Sequence, residues 1–473
     1  MMSFVKNGLL CGAVALLLAG CATTAPKADP RTMAFQPLSF SVPKSERVEL
    51  SNGMVVYMLE DHELPIVNVT AYVRTGGMYD PSDKAGLAAI TGEVLRSGGT
   101  VAMPPEKLDA ELEFMASAIE SGIGPEMGNV SFTTLNRNLD RTLGFFAQVM
   151  TTPAFRDDRV TLAKDSAIET IRRQNDNPKE VANRELRKDL YPGHPFGRFP
   201  TVKSIQGITR DDLVAFHRTY FHPNNIMLAV AGDFNRQELV AKLEAAFTGW
   251  AKEPVSFPAV ADPTPITPEV LFVHKDINQS VIRMGHLGIE KNNPDLYAIR
   301  VMDYVLGGGF TSRLTTEIRS NQGLAYSVGS GFDIGRRFVG TFVAETETKS
   351  ETTGRAISLM EKIIAGMKSG PVTDQELETA KNAIINSFIF GFAKPEAVVN
   401  MQARLEYFGY PKGYLENYRA NIAKVTKDDV LRVARNYLHP DAMVVTVVGN
   451  EKKFDTPLSS FGKVREITLE NGK

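Results

Sequence analysis

One stretch of this chain is written twice, and that repeat limits what it can fold into more than any other feature. Ile208-Thr209-Arg210-Asp211-Asp212 runs through Tyr220, His222 and Pro223 to Gly232. It recurs without a gap as Val425-Thr426-Lys427-Asp428-Asp429, through Tyr437, His439 and Pro440 to Gly449. Each copy makes physical sense as a capped helix followed by a strand. The threonine hydroxyl can accept from an orphan amide of the first turn, and the aspartates that follow sit at the positive end of the helix dipole. Leu213 and Phe216 then mark an apolar face, and His-Pro stops the helix. The runs Ile226 to Ala231 and Met443 to Val448 are predicted as buried strands. A weaker echo links Ile90–Leu95 with Val301–Leu306, each ahead of glycines (Gly98-Gly99 and Gly307-Gly308-Gly309).

A unit repeated at this spacing implies two homologous domains. Between them lie Pro254, Pro258, Pro263, Pro265 and Pro268, a composition that suits an extended spacer. We therefore expect one domain over residues 46–253, a linker over 254–270 and a second domain over 271–473. Strands are predicted at Val55–Leu59, Val67–Val73 and Val339–Val343. A long helix is predicted over Thr373–Phe392, with Asp374 and Glu376 at its start and Leu377, Ala380, Ala383, Ile384 and Phe388 on one face. Strands grouped with long helices give an α+β class rather than a doubly wound sheet. A net charge of -2 lacks the basic field of a nucleic-acid binder. The 2 cysteines form no CxxC pair and cannot staple a scaffold.

The N-terminus reads as an address. Lys6 is the only charged side chain before Lys27, and Gly8 to Gly20 is apolar but too short to span a core of about 30 Å. It ends Leu18-Ala19-Gly20-Cys21, which resembles a bacterial lipoprotein signal over residues 1–20 with Cys21 as the acylated first mature residue. Cys11 would be discarded with the signal. Residues 21–45 read as a flexible tether, and one acyl-modified terminus anchors a protein without spanning anything. With no Asp after Cys21, the resemblance implies an exported protein held at the outer membrane and facing the periplasm.

Several motifs together resemble the pitrilysin/insulinase metallopeptidases. They are Gly76-Gly77-Met78-Tyr79-Asp80-Pro81 with Lys84-Ala85-Gly86-Leu87-Ala88, Asn175-Asp176-Asn177-Pro178, His194-Pro195-Phe196-Gly197, and Ser312-Arg313-Leu314 through Gly323-Leu324-Ala325-Tyr326. The likeness runs from about Glu46 to the end. It implies paired α/β-sandwich domains closing as a clamshell, in agreement with the duplication. Active members of that family carry H-x-x-E-H on a helix: two histidines one turn apart hold zinc and the glutamate activates water. Here the histidine slots match Ala89 and Glu93 and the glutamate slot matches Gly92. The downstream carboxylate slot falls near Thr170, beside Glu169. We expect no metal or other cofactor bound by this chain. Of its 7 histidines only His217 and His222 are close in sequence, and His222 belongs to the repeated helix end.

The same resemblance implies a role for Arg319 and Tyr326, which stand at the spacing of an arginine and a tyrosine that active enzymes need in the second domain. A helix over Ser312–Ser320 ending near Gly323, and a strand re-entering over Leu324–Val328, would let both donors converge on an oxyanion. The plainer alternatives are a cation at a helix C-terminus for Arg319 and a half-buried strand aromatic for Tyr326. The triple glycine lacks the Lys-Ser/Thr of a phosphate loop and reads as a flexible turn. Two functions follow. One is the zinc-free subunit of a heterodimeric periplasmic endopeptidase, whose homologous partner carries the zinc and joins it in hydrolysing peptides. The other is a non-catalytic scaffold or peptide-binding lipoprotein of the same fold.

Overall fold

The computed structural model describes residues 39–469, so Cys11, Cys21 and the signal segment lie outside the described residues. Among the described residues, twelve strands form two six-stranded mixed sheets. The first comprises β1 (Glu46–Glu49), β2 (Val55–Glu60), β3 (Ile66–Val73), β4 (Ala118–Ile123), β5 (Gly128–Leu135) and β6 (Ile226–Gly232). The second comprises β7 (Val270–His274), β8 (Gln279–Leu287), β9 (Val328–Asp333), β10 (Thr341–Lys349), β11 (Val444–Gly449) and β12 (Val464–Glu466). Their orders are β1-β2-β6-β3-β5-β4 and β12-β7-β11-β8-β10-β9.

The repeat seen in the sequence sits at the centre of each sheet. β6 lies parallel to β2 and antiparallel to β3. β11 lies parallel to β7 and antiparallel to β8. Both are covered on two faces, which is why they are buried along nearly their whole length and do not alternate, β6 being apolar throughout and β11 apolar apart from Thr446. The preceding helices, Arg210–Tyr220 and Lys427–Tyr437, start with the same capping box: Thr209 with Asp212, and Thr426 with Asp429. The copies part company only at the outer edge. β1 enters antiparallel to β2 from the N-terminal side, whereas β12 arrives parallel to β7 from the C-terminal end.

One face of each sheet packs on helices of its own half. Val69, Phe132, Phe146 and Leu228 belong to the first of these cores, and Ile282, Met284, Phe342 and Met360 to the second. The opposite faces are covered by exchange. Helix Pro395–Tyr407 of the second half sets Val399, Ala403 and Tyr407 on Tyr72, Met227 and Ala229 of the first sheet. Helix Pro178–Leu190 of the first half sets Val181, Ala182 and Leu186 on Val273, Val448 and Leu271 of the second. Polar bonds fix the exchange. Tyr407 Oη donates to the carbonyls of Val73 (3.3 Å) and Glu126 (2.9 Å), and Tyr191 Oη donates to that of Val339 (2.9 Å). The two homologous α/β sandwiches are thereby locked together as a duplicated clamshell.

Residues 250–269 adopt neither helix nor strand, and Phe257 from this segment packs on the rings of Tyr79 and Tyr220. The N-terminal approach is already held at Pro43 and Ser45, both bonded to the Gln402 side chain. The long helix starts on a Thr373–Glu376 capping box in keeping with its sequence, but its α-helical part stops at Phe388 and a 3-10 turn follows to Phe392. No described helix is long and apolar enough to cross a membrane.

Candidate functional site

Helix Leu87–Ser97 occupies the place where the family resemblance puts a zinc motif. Its start is built by Asp80, whose carboxylate accepts from the amides of Gly86 (2.9 Å) and Ala88 (3.0 Å). Burial pushes that carboxyl up to about 6 against the pull of these donors. Ala89 and Glu93 are exposed, one turn apart on the same side. Gly92 lies buried against β4. A β-carbon there would stand 2.3 Å from the Ile123 amide nitrogen and 2.7 Å from the Gly122 carbonyl carbon. Ser121 Oγ donates to the Gly92 carbonyl at 2.6 Å and draws the helix onto the strand. The slot of the water-activating glutamate is therefore closed by backbone, in addition to lacking the side chain.

The remaining ligand slot is no better supplied. Thr170 Oγ1 donates to the Ser166 carbonyl at 3.0 Å, and Glu169 is paired with Arg173 at 2.7 Å. Among the described residues no three His, Cys, Asp or Glu side chains gather where they could hold a metal. His217 and His222 are both committed to backbone carbonyls, of Met150 (2.9 Å) and Arg218 (2.8 Å). Burial depresses His217 to about 4. A methyl group, a hydrogen and one exposed carboxylate do not fit zinc.

The C-terminal half presents a different picture. Arg319 lies in a helical segment over Thr315–Asn321 that is π-wound rather than the α-helix expected over Ser312–Ser320. Gly323, at φ +60°, turns the chain out of it, in the left-handed region that glycine tolerates best. The strand expected over Leu324–Val328 begins only at Val328. Tyr326 consequently stands on the connection, 88% exposed, and is not a half-buried strand aromatic. Displaced from the ladder, its ring meets Arg319. The guanidinium carbon lies 5.2 Å from the Tyr326 ring centroid and 4.6 Å from that of Phe310. No side-chain hydrogen bond or ion pair engages Arg319 among the described residues, so its N–H donors are uncommitted.

The glycines before Phe310 are packed and do not form a loose turn. A β-carbon on Gly307 would stand 2.2 Å from the Ser330 amide nitrogen, and one on Gly309 would stand 2.6 Å from the Tyr304 ring. Beyond them, Arg313 and Glu376 form a two-pronged ion pair at 2.7 and 2.9 Å that ties the loop to the long helix. Sequence reasoning misses Phe310; its only sign there is an aromatic directly after three glycines.

The other family motifs have structural roles. Asn177 caps helix Pro178–Leu190 by accepting from the Lys179 amide at 2.9 Å. His194 packs between Phe196 and Phe338, joining the two halves.

Two α/β sandwiches with exchanged helices, Ala89, Gly92 and Glu93 at the zinc-motif positions and an adjoining Arg–Tyr pair define a metallopeptidase-like clamshell without the family's zinc motif. Comparison with known proteins agrees: residues 55–199 match Insulinase (Peptidase family M16), and residues 207–384 match the Peptidase M16 inactive domain. The chain belongs to the insulinase family, M16. It is 24% identical over 428 residues to the "Non-peptidase homolog YmxG" of Helicobacter pylori, an alignment spanning 89% of this chain and 97% of that one. An uncharacterized zinc protease of Streptomyces coelicolor is 24% identical over 312 residues, 64% of this chain and 68% of that protein. Among solved structures, the peptidase M16 inactive domain from Pseudomonas fluorescens superposes with TM-score 0.77 at 25% identity, covering 86% of this chain and 98% of that one. A chain of complex III from Candida albicans shares the fold at TM-score 0.71 and 15% identity, over 86% of this chain and 96% of its own.

Proposed function

We propose that this chain is the zinc-free subunit of a two-chain periplasmic endopeptidase. A separately encoded homologue supplies the H-x-x-E-H helix and its zinc, which generates the attacking hydroxide when bound. This chain supplies Arg319 and Tyr326 as donors to the oxyanion of the tetrahedral intermediate. The observation that carries the reading is the asymmetry between halves: the ligand positions are empty of ligands and partly closed, while Arg319 and Tyr326 are together, Tyr326 exposed and the half-buried Arg319 without a hydrogen-bond or ion-pair partner among the described residues. A half-buried strand tyrosine has no reason to keep that arrangement. A peptide would add as a strand at a sheet edge, where main-chain bonds demand little of its sequence. Acylation at Cys21 would hold the complex at the outer membrane.

The test is to co-purify the chain with a homologue bearing the intact zinc motif and to assay peptide hydrolysis. Arg319→Ala and Tyr326→Phe should each lower kcat by roughly 10²- to 10³-fold, the cost of losing one oxyanion donor. Unchanged turnover in either variant refutes the assignment. A second reading, a non-catalytic scaffold or peptide-binding lipoprotein, draws support from the likeness to a non-peptidase homologue along 97% of that protein. A neighbouring gene encoding a zinc-bearing homologue favours the first reading. Stoichiometric zinc in this chain purified alone contradicts both.

A further inference from the structure

We infer that Phe310 is a positioning residue for Arg319: it holds the guanidinium by stacking, so that the arginine's N–H edge is preset toward the ligand. The inference rests on the role proposed for Arg319 and Tyr326 and adds a third member to that site. Phe310 is 76% exposed, so burial does not explain the ring's placement. Its ring faces a guanidinium at 4.6 Å, while Tyr326 covers the guanidinium at 5.2 Å. Cation–π contact uses the face of the guanidinium and leaves its in-plane N–H bonds free. A carboxylate partner would have fixed the arginine equally well, but would have taken up those donors. Two rings restrain it without competing for them.

The loop that carries Phe310 is stiff, as a positioning element must be. Gly307 is pressed on β9 and Gly309 on Tyr304. The Gly309 amide donates to the Tyr304 carbonyl at 3.1 Å, and Ser312 donates its amide to the Gly309 carbonyl at 3.0 Å. The Arg313–Glu376 pair closes the far side. Phe310 therefore sits on a braced turn between two π-wound segments, Tyr304–Gly308 and Thr315–Asn321, a winding that recurs at functional sites.

The experiment uses the full chain with Phe310→Leu, which keeps apolar bulk without a π face, and Phe310→Tyr, which keeps the face. The first readout is the rate at which phenylglyoxal modifies Arg319, followed by peptide mass spectrometry with the other arginines as internal references. Loss of one exposed stack should speed Arg319 modification roughly two- to fivefold in Phe310→Leu, with Phe310→Tyr at the wild-type rate. Equal rates in all three proteins overturn the inference, whatever the enzymatic result. The second readout is turnover with the zinc-bearing partner: kcat should fall in Phe310→Leu by a similar factor at constant KM, and recover in Phe310→Tyr. If labelling responds but turnover does not, the stack stands and the catalytic role proposed for Arg319 fails.

Discussion

Gly92 offers a sharp test because two physical effects predict opposite signs there. Replacing a glycine inside a helix by alanine ordinarily stabilises by about 1 kcal/mol, since the unfolded chain loses freedom. At Gly92 the new β-carbon would meet the Ile123 nitrogen at 2.3 Å and two Gly122 backbone atoms at 2.7 and 2.9 Å. Ordinary contact needs about an ångström more, so helix Leu87–Ser97 must move off β4. That movement weakens the Ser121–Gly92 hydrogen bond, worth about 1 kcal/mol, and overpacks a buried face at a cost of about 2–3 kcal/mol. The net expectation for Gly92→Ala is a loss of about 2–3 kcal/mol. Gly144 is the control. It lies inside helix Leu139–Thr151, where an added β-carbon would find nothing within 4 Å. Gly144→Ala should therefore gain about 0.5–1 kcal/mol. In urea unfolding the Gly92 variant should lose about 1 M of midpoint while the Gly144 variant moves the other way. If Gly92→Ala is as stabilising as Gly144→Ala, the slot is open and the closure argument is refuted. If the loss is seen, the same clash bars a glutamate, and restoring Ala89→His and Glu93→His leaves the water-activating base without a place.

Further expectations concern stability and coupling. Asp303 is buried and its carboxyl is pushed up to about 7. A folded state that holds a proton more tightly than the unfolded chain is favoured at low pH, and this contribution is lost as pH rises from about 4 through 7. Asp303→Asn should therefore flatten that loss in urea midpoints measured at pH 5 and pH 8; an unchanged slope argues against the shift. Thr209→Ala and Thr426→Ala remove equivalent capping boxes and should each cost about 1 kcal/mol in urea unfolding; a marked inequality would contradict the equivalence of the two repeats. Val399→Ala and Val181→Ala each truncate a buried side chain of an exchanged helix, at a cost of about 2 kcal/mol. Hydrogen exchange should quicken in the opposite half, in β6 for the first variant and β11 for the second. Loosening confined to the mutated half would refute the reciprocal packing.

Much of the fold is legible in the chain because its evidence is local. Capping threonines with aspartates three residues on, apolar runs the length of a strand and the His-Pro stops carry their structural consequence within a few residues, and each appears twice. The absence of zinc ligands at 89, 92 and 93 is equally readable, since side-chain chemistry is written in the sequence itself. What sequence cannot supply is anything that depends on partners distant along the chain. The exchange of helices Pro178–Leu190 and Pro395–Tyr407 between halves pairs residues far apart in the chain, and no periodicity announces it. Apolar neighbours suggest a strand around Tyr326; π winding and the turn at Gly323 postpone β9 to Val328 and free the ring. The closure of Gly92 by β4, and the two rings enclosing Arg319, are likewise contacts between separate elements. Sequence determined which donors and ligands the chain owns; tertiary packing decided which have room to act, because steric clearance exists only once the elements are set against one another.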